Sequence, residues 1–178
     1  ALQRFTTAAT VLRMLLDIEP VVIPIVPHAR VFEALRAGEV EAALLIHEGR
    51  LTFQDEGMTA LVDLGVWWQR ATGGLPLPLG VNALHRRLGP HAEAASALLR
   101  RSITWALDHR DEVLDDLLAH GGALTDRGRL DTYLDMYANE RTQDMGADGR
   151  HAIELLLEQA AAMGLLPECE VDWAPDGA

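Results

Sequence analysis

The chain has 178 residues, 49% of them hydrophobic, enough for one generous domain or two small lobes with a real core. A net charge of −12 and a pI of about 4.9 exclude the basic footprint that a nucleic-acid backbone requires. All fifteen basic residues are Arg, so Schiff-base chemistry and a phosphate-loop lysine are excluded as well.

One cysteine, Cys169, can form no internal disulfide and has no zinc-site spacing around it, which fits a reducing cytoplasm. No apolar stretch approaches the ~20 residues that span a bilayer, and no charged segment followed by an apolar run opens the chain, so neither a membrane nor an export role is expected.

In chain order, "RFTTAATVLRMLLDIEP" predicts a helix capped by Thr6 or Thr7, with Val11, Leu12, Leu15 and Leu16 at helical spacing and Pro20 as its stop. Such a helix start directs backbone N–H groups outward and attracts carboxylates or phosphates, although Thr6 and Thr7 serve equally as ordinary caps. "VVIPIVP" (Val21 to Pro27) is short and β-branched and reads as an edge strand. "ARVFEALRAG" reads as a helix closed by Gly38, and "VEAALLIH" as a second strand, apolar on both sides as in a parallel sheet. Helix, strand, helix, strand is the order of an α/β lobe over residues 1–80.

"LVDLGVWWQRATGG" places Asp63 as a cap and Trp67 and Trp68 on a short helix ended by Gly73 and Gly74. "LPLPLG" has prolines two residues apart, which rules out a regular central strand and suits a stiff crossing segment. From Pro90 the pattern is helical only, through residues 90–119, 127–138 and 148–163. Residues 81–178 are thus a mostly helical extension whose apolar faces need another surface to cover, and a homo-oligomer is one way to supply it.

The stretch "ALLIHEGRLTF" stands out because an apolar run ends in His47, at the end of a predicted parallel strand where open α/β sheets place ligands. An imidazole ordinarily titrates near neutrality and suits a general base; a hydrogen-bonded structural histidine is the competing reading. Glu48 could orient His47 or pin Arg50. Arg50 could meet a carboxylate bidentately or serve as a surface ion-pair partner, and Asn139 could reach a cleft or cap the next helix. His28, His85, His91, His109, His120 and His151 lack the i, i+4 spacing of a metal site, and no glycine-rich phosphate cradle is present. No metal and no cofactor are expected.

"LIHEGRLTF", "LVDLGVWWQRATGGLPLPLG" and "YANERTQDMGADGRHAI" together resemble the 1,4-dihydroxy-6-naphthoate synthases of the futalosine route to menaquinone. The resemblance implies a two-lobe fold similar to type II periplasmic binding proteins, with one lobe complete here and the other represented mainly by its C-terminal helices, because family members carry a further stretch ahead of the Thr6 helix. It implies a cytosolic, cofactor-free lyase that converts cyclic dehypoxanthine futalosine to dihydroxynaphthoate. His47 is then the base lining a cleft, and Thr6 and Thr7 receive a substrate carboxylate; Arg50 and Asn139 stay candidate substrate contacts on their residue chemistry alone, beside the ion-pair and helix-cap readings. The related chorismate dehydratases share the "DLG…W…TG" element, and a non-catalytic solute-binding protein for a small carboxylated ligand is the remaining alternative.

Overall fold

A computed structural model describes residues 6–23 and 29–175. Its helices are α1 (Thr7–Leu15), α2 (Ala29–Arg36), the single turn α3 (Gly49–Thr52), α4 (Leu64–Ala71), α5 (Ala92–Asp108), α6 (Arg110–His120), α7 (Arg127–Tyr137), the single turn α8 (Glu140–Gln143) and α9 (Gly146–Ala162). A 3-10 turn, Arg86–His91, leads into α5.

The α/β, periplasmic-binding-protein-like architecture expected from the sequence is overturned: among the described residues every regular element is helical and no strand is present. Residues 42–46 of the second expected strand are irregular and half-buried at most, while the first is described only over Val21–Ile23, the rest of it lying outside the described residues. The reason is that β-branched and apolar composition specifies an extended, half-buried path, but a strand exists only through the ladder it makes with a neighbour. Within the described residues neither segment has that neighbour.

The helices themselves begin and end where local chemistry directs. Thr6, Asp63, Asp126 and Asn139 each take a non-helical backbone and accept a first-turn amide on a side-chain oxygen, at α1, α4, α7 and α8 respectively. Gly38 closes α2 with φ +69°, which lets its own N–H reach the Leu35 carbonyl and the Glu39 N–H reach Ala34, the double bond of a left-handed helix stop. α1 ends at Leu15, short of Pro20, because Leu16 turns extended (φ −127°, ψ 129°), and Leu16 and Ile18 beyond it stay 44% and 48% exposed.

Packing centres on Trp68. The indole is fully buried beside Val11 of α1 and Leu156 of α9, with Met14, Leu64, Trp67, Leu77 and Leu155 half-buried around them. α9 meets this cluster through Leu155 and Leu156, and its buried residues Gly149, Ala152, Leu156 and Ala160 recur every three to four residues along one face. Residues from the two ends of the chain therefore share one core. The polar edge of the indole is satisfied as well: Trp68 Nε1 donates to the Pro76 carbonyl at 3.0 Å, fixing the crossing segment Leu75–Gly80 against α4, and Thr7 Oγ1 donates to the Leu79 carbonyl at 3.3 Å from α1.

α6 and α7 pair through charge. The Arg110 guanidinium on α6 donates to Asp131 Oδ1 (2.8 Å), the Asp131 carbonyl (2.8 Å), Asp135 Oδ1 (2.6 Å) and the Ala138 carbonyl (3.3 Å). Arg127 of α7 reaches back to Asp111 at 2.7 Å and to Asp115. The planar fork of arginine suits several acceptors at once, which a lysine could not serve equally.

Trp68→Ala is expected to cost about 3–5 kcal/mol in urea unfolding, the range for emptying a buried aromatic site. Trp67→Ala, one position along and half-buried, is expected to cost clearly less; equal losses would contradict the assigned core.

Candidate functional site

The chain turns at His47. After the irregular residues 42–46 its backbone enters the left-handed region, φ +54°, the one non-glycine among the described residues to do so. An L-residue held there costs about 1–2 kcal/mol, and Gly would be the inexpensive occupant. The position nevertheless keeps an imidazole. Strain retained at a polar side chain points toward a role for that side chain.

The turn is closed locally and braced from a distance. Arg50 N–H donates to the His47 carbonyl at 3.1 Å and Leu51 N–H to Glu48 at 2.9 Å, forming α3, with Gly49 buried beneath it. Across the gap stands α7. Tyr137 Oη accepts the His47 backbone N–H at 3.2 Å, Tyr133 Oη lies 3.4 Å from His47 Nδ1, and the His47 and Tyr137 ring centroids are 5.9 Å apart. The two tyrosine rings meet at 4.9 Å.

Helical geometry explains why one element makes all these contacts. Arg129, Tyr133 and Tyr137 are four residues apart and form a single stripe on α7, and Arg129 pairs with Asp55 at 2.6 Å just beyond α3. The segment from His47 to Asp55 thus lies along one face of α7. Burial first, then the neighbouring Tyr137 and the Glu48 carboxylate, push the Tyr133 phenol above its ordinary value. Sequence reading missed both tyrosines. The signal was available: they are the chain's only two, placed i, i+4 on a helix that the periodicity predicts.

Arg50 connects this face to the packed centre. Its guanidinium donates to Asp63 Oδ2 at 3.0 Å, while Asp63 Oδ1 accepts the Gly65 and Val66 amides that begin α4. With side chains 50% and 43% exposed the pair adds at most about 1 kcal/mol of stability. Its location matters more than its strength. Arg50 and Asp63 stand at an open hollow of about 220 Å³ with Gln69, Leu75, Pro76 and Leu77.

Thr6 and Thr7 stand at the start of α1, where Thr6 Oγ1 accepts the Ala9 amide at 3.2 Å and Thr7 Oγ1 donates to the Leu79 carbonyl. His47, Thr6 and Thr7 are not among the residues lining the hollow, so the structure brings Arg50 to it directly and links the other three to it through α3, α4 and the crossing segment. Asn139 is engaged locally: its side-chain oxygen accepts the Arg141 amide at 3.0 Å, its amide donates to the Asp135 carbonyl at 2.7 Å, and Thr142 completes the capping box. His85 accepts the Arg87 amide, His109 stacks on Trp105 at 4.4 Å, His120 sits beside Asp116 at the end of α6, and His28 lies outside the described residues. Among the described residues no group of three or more His, Cys, Asp or Glu side chains could hold a metal ion.

Comparison with known proteins locates this arrangement. A family model described as menaquinone biosynthesis matches residues 2–162. The chain belongs to the menaquinone-biosynthesis family. Two curated relatives are both named 1,4-dihydroxy-6-naphthoate synthase: one from Thermus thermophilus, 40% identical over 79% of this chain and 51% of its own length, and one from Streptomyces coelicolor, 38% identical over 82% and 51%. The chain therefore spans about half the length of the curated relatives it matches. A crystal structure of a protein from Archaeoglobus fulgidus is similar with a TM-score of 0.76 and 34% identity, covering 92% of this chain and 61% of that one.

Two outcomes follow from the site's geometry. Removing the imidazole as His47→Gly is expected to leave the protein about 1 kcal/mol more stable than His47→Ala in urea unfolding, the reverse of the usual order, because only glycine escapes the left-handed penalty. A raised Tyr133 value means that the folded state keeps a proton the unfolded chain gives up, so this contribution is intact below the ordinary phenol value of 10.0 and is lost as pH climbs through the raised one. Tyr133→Phe should accordingly flatten the alkaline fall in unfolding free energy; an unchanged slope would remove the assignment.

Proposed function

We propose that this chain carries the histidine-bearing part of a cofactor-free lyase that converts cyclic dehypoxanthine futalosine to 1,4-dihydroxy-6-naphthoate. The names of its relatives supply the product, the family resemblance of the sequence supplies the substrate, and the observation that carries the reading is His47 itself. An imidazole is kept on a strained left-handed turn and braced by two tyrosines, at a position where glycine would be cheaper.

In this reading His47 takes a proton from the substrate near neutral pH, which is the operating range of an imidazole base. Arg50 meets a substrate carboxylate at the hollow beside α4: a guanidinium offers five N–H donors, so its bond to Asp63 leaves capacity for a second acceptor. The first-turn amides of α1, behind Thr6 and Thr7, are a second anchor of the same sign. Asn139 acts through the α7–α8 corner that it caps. The partner is a small carboxylated molecule. The net charge of −12 speaks against nucleic acid, and the single cysteine suits the cytoplasm. Among the described residues no helix is long and apolar enough to cross a membrane.

The test is turnover of cyclic dehypoxanthine futalosine by a protein of the relatives' full length. His47→Ala is expected to lower kcat by about 10²- to 10⁴-fold, the usual worth of a positioned base, with the circular dichroism spectrum unchanged. Near-normal turnover would reject the base role, and tight binding without any turnover in the unmodified protein would favour a solute-binding module.

A further inference from the structure

Two nitrogens of the His47 ring compete for one proton in the neutral imidazole, and only the nitrogen without it can act as a base. The α7 stripe bears on this choice. Tyr133 Oη lies 3.4 Å from Nδ1, while Tyr137 Oη, one turn away, accepts the His47 backbone N–H at 3.2 Å. Backbone and ring of the same residue are thus held by adjacent positions of one helix, and the Asp55–Arg129 pair secures the other end of the segment. A turn braced at three points on one stripe holds the ring to one orientation.

We propose that Tyr133 is a positioning residue for His47: its phenol oxygen accepts the Nδ1–H, so that the lone pair of the neutral ring belongs to Nε2. The assignment deepens the proposed base role and rests on it. Proton bookkeeping favours this direction over the reverse. When Nε2 takes a proton, the bonding pair it leaves stays on the substrate and the ring becomes a cation with both nitrogens as donors; Nδ1–H goes on donating to Tyr133, and nothing needs to reorganise. Had the phenol donated to Nδ1, that nitrogen would have to receive the proton and the hydrogen bond would break as the reaction began. Tyr133 neither gains nor loses a proton in the step. Its half-buried phenol beside Tyr137 and the Glu48 carboxylate resists ionisation, which keeps it a neutral acceptor. The device has the logic of a carboxylate behind a catalytic histidine, with a neutral oxygen in place of the charge.

The test reads the tautomer directly. In protein labelled with ¹⁵N-histidine, with the His47 signals identified by their loss in His47→Ala, Nδ1 is expected at the shift of a protonated ring nitrogen and Nε2 at that of an unprotonated one. Tyr133→Phe keeps the ring and its packing but deletes the acceptor, so the population is expected to move toward the Nε2–H form that free histidine prefers. In a protein of the relatives' full length kcat should fall about tenfold with KM within about twofold, as for loss of an outer partner that orients a catalytic ring. Tyr137→Phe, which removes the acceptor of the backbone N–H but keeps the ring beside the imidazole, should leave the tautomer where it is. An unprotonated Nδ1 in the parent protein, or a Tyr133→Phe variant with unaltered tautomer, overturns the proposal whatever its rate. Normal turnover in His47→Ala would instead remove the base role, while the nitrogen shifts still decide the hydrogen bond.

Discussion

The burial of Trp68 is the interaction on which the rest of this structure depends. One indole fills the space between α1, α4 and α9, and its single polar edge is tied to the Pro76 carbonyl. Because the ring is fully buried, α4 has no freedom to rotate, and with α4 goes the Asp63 cap at its start. Asp63 receives Arg50, Arg50 belongs to α3, and α3 follows His47 by two residues. A hydrophobic contact near the middle of the chain thereby sets the placement of a polar residue on the surface.

A second, electrostatic scaffold meets the first from the other side. α7 is held to α6 by Arg110 and Arg127, which satisfy four carboxylates between them, and so presents its Arg129–Tyr133–Tyr137 stripe in a fixed direction. His47 stands where the two scaffolds touch. Neither gives it a ready-made conformation, and the left-handed turn is the geometric consequence: the chain must leave the irregular segment 42–46 and begin α3 within two residues while still facing α7. The same strain would be relieved by glycine, so the imidazole is better explained by chemistry than by folding.

Much of this was legible along the chain, element by element. The caps at Thr6 and Asp63, the stops at Gly38, after Ala71 and at Gly121, and the stiffness of "LPLPLG" all follow from nearest-neighbour chemistry, which acts over one or two turns and needs no partner. Even the packing role of the Trp67–Trp68 pair is foreseeable, since adjacent helical positions diverge by about 100° and only one can be buried. The strands were not legible in the same sense. Residues 40–47 have the composition of a strand without, among the described residues, the neighbour that would make them one.

What the sequence alone determined, then, is most of the longer helices with their caps and stops, the family, and the singularity of His47 at the end of an apolar run; the single turns α3 and α8 and the break between α5 and α6 at His109 were not among them. Tertiary structure decided the rest: that the expected strands form no ladder among the described residues, that Arg50 is engaged with Asp63 at a hollow His47 does not line, and that Tyr133 and Tyr137, 86 and 90 positions away, meet His47. The division has a physical cause. Capping, turn and propensity effects are fixed by residues a few places apart, whereas strand pairing, burial and ring-to-ring contact depend on which distant segments arrive together, and that is settled only when the whole core closes around Trp68.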